Sequence, residues 1–88
     1  MENLEFIVEQ TEEILCDLLL SGFQSVHIAT IEQIDELAKI YELYGMTKGK
    51  GLLEQLRRTL IKRKNSFECD LQSLMKAYSR LEFYISSL

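Results

Sequence analysis

The chain has 88 residues, no proline and no tryptophan; 47% of it is hydrophobic, 27% is charged, and the net charge is −4. That length holds one domain, residues 1–88, the composition excludes a disordered chain, and the acidic balance argues against nonspecific nucleic-acid binding. The longest plain apolar run, residues 18–20, is far too short to span a bilayer.

The charge is unevenly spread. Residues 1–42 carry ten acids and one base, residues 43–64 one acid and seven bases, and residues 65–88 three acids and two bases. Either the acidic helices lie beside the basic one, or the basic segment faces an external polyanion. The start of the chain is acidic and shows no secretory signal, and Cys16 and Cys69 form no C-x-x-C pair. A cytoplasmic protein with free, half-buried thiols is expected.

The first helix is predicted over residues 2–21. Leu4, Val8, Thr11, Leu15 and Leu18 form its seam, widened by Phe6, Ile7, Ile14 and Leu19. Glu5, Glu9, Glu12 and Glu13 line the opposite side, as a wet face or as a surface for a basic partner. Gly22 is placed to end the helix. Residues 23–29 lack a clear period and read as a connector, with Phe23 and Val26 turned inward.

The second helix is predicted over residues 30–44, with Thr30 as N-cap and Gln33 completing a capping box. Its buried stripe is Ile31, Ile34, Leu37, Ala38, Tyr41 and Tyr44. Residues 45–51 contain three glycines and read as a helix–helix turn. They lack the spacing, the Ser or Thr after the lysine, and the preceding strand of a phosphate-binding loop. The third helix, residues 50–64, buries Leu52, Leu53, Leu56, Leu60 and Ile61.

The fourth helix, residues 66–87, carries the clearest pattern. Phe67, Leu71, Leu74, Tyr78, Leu81, Ile85 and Leu88 alternate steps of four and three, which suits a helix seam and not a strand. Asn65 or Ser66 caps it, with Glu68 in a box-like position. Short connections force antiparallel neighbours, so the fold predicted is all-α, a single antiparallel four-helix bundle.

No pattern carries catalytic chemistry. The lone His27 sits in the connector, and Cys16, His27 and Cys69 lack metal-ligand spacing. The sequence points to no enzyme, no metal and no cofactor. Met75, Ala77, Phe83 and Tyr84 lie off the seam of the fourth helix, to be covered either by bundle neighbours on a second side or by a partner. Met75, Phe83 and Tyr84 are the candidate partner-binding residues, in a protein–protein interaction or scaffolding module with homodimerisation through them as one use. The alternative is a nucleic-acid-associated accessory protein using Arg57, Arg58, Lys62, Arg63 and Lys64. Leu18 to Phe23, Leu37-Ala38, Leu43 to Met46, Leu52-Leu53 and Leu56 together resemble helical segments of bacterial proteins that also carry a SWIM zinc finger. The finger's C-x-C…C-x-H ligands are not in this sequence. The resemblance implies an accessory helical module working beside other proteins and transfers no functional residue.

Overall fold

A computed structural model describes the backbone of residues 2–21, 28–65 and 71–88, and the side chains of residues 4–21, 28–62 and 72–88. It contains four α-helices: α1 Glu2–Ser21, α2 Ile28–Leu43, α3 Thr47–Asn65 and α4 Leu71–Ser86. They form the antiparallel four-helix bundle expected. Each helix touches its two neighbours in the ring α1–α2–α3–α4, and among the described residues the diagonal pairs have no close Cα approach. The bundle measures 40 × 21 × 20 Å. Several readings fall on residues outside those described: the Gly22 stop, Phe23 and Val26, His27, Phe67, the Glu68 box, Cys69, and the side chains of Arg63, Lys64 and Leu71.

The core holds the apolar stripe of every helix, including Ile14, Leu15 and Leu18 of α1, Ile34 and Leu37 of α2, Leu53, Leu56 and Leu60 of α3, and Leu74, Tyr78, Leu81 and Ile85 of α4. Fully burying each such side chain contributes roughly 1.5–3 kcal/mol before ordering costs. The stripe of α1 is turned by about one residue from the one predicted. Ile7 and Ile14 are central, Leu4 is 43% exposed, and Val8 is only half-buried. Ile7, Thr11, Ile14 and Leu18 still step by four, three and four, so the period holds and the centre of the stripe moves onto residues expected at its edge.

The turn between α2 and α3 differs from the one predicted. Gly45 has φ 72°, in the left-handed region glycine tolerates. Its N–H donates to the Glu42 carbonyl at 3.1 Å, and the Met46 N–H donates to the Tyr41 carbonyl at 2.9 Å. These paired bonds make a Schellman stop, with Met46 packed against the core. The Lys50 N–H then donates to the Met46 carbonyl at 2.9 Å, so Met46 also opens α3. The connection is therefore residues 44–46, and Gly49 and Gly51 lie inside α3. Tyr44, beyond the last residue of α2, is 51% exposed and not part of the stripe. Ile28 and Ala29 belong to α2, and Thr30 stands in its first turn and is not the N-cap. A capping preference of about 1 kcal/mol is too small to fix a helix start from the pattern alone.

Gly49 is buried where three helices converge. A Cβ there would lie 2.5 and 2.6 Å from ring atoms of Tyr41 and 2.7 Å from one of Tyr84. The two rings meet across the bundle's diagonal, centroids 6.4 Å apart and tilted by 34°. Below them, Thr11 gives its single hydroxyl proton to the Ile7 carbonyl at 2.7 Å. The 2.7 Å contact between Thr11 and Tyr41 therefore has the phenol donating. Thr11 and Tyr41 are both fully buried, and each satisfies the other's polar atom.

Burial pushes the Tyr41 phenol above its ordinary value, the Thr11 hydrogen bond pulls it partly back, and Tyr84 pushes it up again. The folded chain thus holds this proton more tightly than the unfolded one. The resulting stability is complete below about pH 10 and is lost as pH rises through the raised folded value. Urea denaturation above that pH should show stability falling, and falling less steeply in Tyr41→Phe. A second test is steric. Gly49→Ala should destabilise the bundle by about 1–3 kcal/mol, because two rings must move. Gly51→Ala meets open space on the exposed side of the same helix and should stabilise it by about 0.5–1 kcal/mol. Thermal melts of the two variants should move in opposite directions.

Candidate protein-binding face of the fourth helix

In α4 the buried side is formed by Leu74, Ala77, Tyr78, Leu81 and Ile85. Ala77 is 0% exposed, so of the residues off the predicted seam it is one that the bundle itself covers: it lies one turn before Leu81, and a methyl group is what fits between close helices. The seam also ends sooner than predicted, since Leu88 follows the last helical turn and is exposed. The opposite side carries Met75, 41% exposed, and Phe83, 76% exposed. Tyr84 is half-buried against the core over Gly49. Of the three candidates, two thus face outward, and the third anchors the edge of their face to the bundle.

The face is flanked by two grooves. Between α1 and α4 the walls include Glu12, Leu15, Cys16, Leu19, Tyr78 and Glu82. Between α3 and α4 they include Lys48, Leu52, Arg80 and Tyr84. Ser79 and Phe83 line both. Burial raises the Tyr78 phenol above its ordinary value, and the Glu82 and Cys16 charges add to the rise. Cys16 is exposed, which corrects the half-buried reading. It points from α1 into the groove beside the core stripe.

The basic segment is only partly turned to solvent. Arg57 Nε lies 4.0 Å from Asp35 Oδ1 of α2, and Lys50 Nζ lies 3.2 Å from Glu42 Oε2. Acidic α2 and basic α3 thus lie side by side, as the first of the two charge readings expects. Arg58 and Lys62 are exposed. Among the described residues, no group of three or more His, Cys, Asp and Glu side chains could hold a metal ion, and no helix is long and apolar enough to cross a membrane.

Sequence reasoning missed Ser79, Arg80, Glu82 and Lys48 as parts of this face, and offered Glu12 as a surface for a basic partner without placing it beside α4. Those on α4 were visible as outward positions, but the contributions of α1 and α3 depend on which helices flank it. Comparison with known protein families, with curated proteins and with solved structures gives no match.

The two sides of α4 should respond differently to truncation. Leu81→Ala should cost about 2–5 kcal/mol, the range for a buried leucine. Phe83→Ala, exposed in the monomer, should change stability by no more than about 0.5 kcal/mol in urea titrations at low protein concentration.

Proposed function

We propose that the chain is a small helical interaction or scaffolding module that associates with a second copy of itself through the outward face of α4. The supporting observation is Phe83: a large aromatic side chain 76% exposed, one turn from Ser79 and two from Met75, on a helix whose other side is sealed. Apolar patches of this kind mark contact surfaces, and aromatic residues and methionine are enriched in their centres. A chain of 88 residues hides only about 60–65% of its unfolded surface, so association adds stability that the small core cannot supply.

The reading gives no residue a catalytic role and includes the cytoplasmic setting expected from the sequence. A nucleic-acid surface on α3 has less to stand on. Arg57 is drawn towards Asp35, which leaves Arg58 and Lys62 outward among the described side chains of the five candidate cations.

Light scattering over a rising concentration series tests the proposal. The mass should climb from monomer towards dimer at high micromolar concentration. Phe83→Glu should stay monomeric with unchanged helix content by circular dichroism. A wild-type chain that remains strictly monomeric there would overturn the self-association.

A further inference from the structure

We propose that two copies of the chain meet about a two-fold axis running along α4, so that their α4 helices lie parallel and each copy's acidic groove covers the other's basic groove. The inference rests on the self-association reading and adds its orientation.

Helical steps of about 100° put Met75 about 40° to one side of Ser79 and Phe83 about 40° to the other. All three are exposed. The serine at the middle leaves room for a second helix to come close, flanked by an apolar side chain on each side.

Charge then decides the direction. Among the described residues, the α1–α4 groove has Glu12 and Glu82 in its walls and no lysine or arginine. Among them too, the α3–α4 groove has Lys48 and Arg80 and no carboxylate. A two-fold across α4 makes the helices antiparallel and lays acid on acid and base on base. A two-fold along α4 exchanges the sides, so acid meets base on both flanks. Like charges brought together cost more than any other rim contact, and opposite ones guide the approach. In the parallel arrangement Arg80 of one copy stands about 3 Å in height from Glu82 of the other, two residues at about 1.5 Å each. The Phe83 rings of the two copies come level across the contact.

The test uses a chain with Cys16→Ser and Cys69→Ser, carrying a single new cysteine and oxidised at a concentration where the chain is dimeric. Ser79→Cys lies on the contact in either orientation. Ser86→Cys comes level with its counterpart only when the helices are parallel. In the antiparallel case the two lie about 21 Å apart in height, well beyond the reach of a disulfide. Both variants should cross-link. Arg80→Glu and Glu82→Arg should each weaken the dimer by about tenfold, and the double exchange should restore it. Cross-linking through Ser79→Cys alone would overturn the orientation and leave the α4 contact standing. Cross-linking through neither, in a chain that is dimeric by light scattering, would overturn both.

Discussion

The missing side chain at Gly49 sets how closely three of the four helices come together. Helices joined at ordinary spacing leave room between their axes for side chains from both partners. Here the Tyr41 and Tyr84 rings occupy the space that a methyl group on α3 would need. That close approach brings the two rings within contact across the diagonal and carries the Tyr41 hydroxyl as far as Thr11 on α1. One absent Cβ thus ties α3 to α2 and α4 directly, and to α1 through a single phenol. The polar pair inside this apolar core is satisfied on every atom the bonds require, which is the condition for burying it at all.

The placement of Tyr84 follows from the same feature. With its ring over Gly49 it is held half inside, so α4 is fixed in rotation about its own axis. That rotation decides which residues face outward. Met75 and Phe83 are exposed, and Ala77 is buried, because the ring of Tyr84 and the leucines of α4 share the inner side. The charged residues beside Phe83 fall on opposite flanks for the same reason, with Glu82 towards acidic α1 and Arg80 towards basic α3.

Much of this was legible before any coordinates. Leu74, Tyr78, Leu81 and Ile85 were visible from spacing alone, because only one side of a helix repeats in steps of three and four. Phe83 was visible as an aromatic residue off that repeat. Failures came where two causes leave the same trace in sequence. Glycine serves both turning and close packing, so in the sequence Gly49 reads as part of the turn along with Gly45, which alone of the two turns the chain. Thr11 was read as one more seam position, since nothing local tells a threonine on an apolar stripe that it will meet a tyrosine 30 residues away. For Ala77 burial and exposure both stay open in the sequence, because its small size fits an exposed surface as readily as a tight contact. The grooves beside α4 were beyond reach, since their charges come from helices distant in sequence.

Met46 closes α2 with its N–H and opens α3 with its carbonyl, so the connection of residues 44–46 carries no slack. These bonds hold α3 in one register against its neighbours, and a slip of one residue along α3 would turn its surface by about 100°. Gly49 would then leave the tyrosines, and Lys48 or Lys50 would arrive in its place. The junction is therefore as constrained as any core position, and it works as the clasp that keeps the whole bundle in phase.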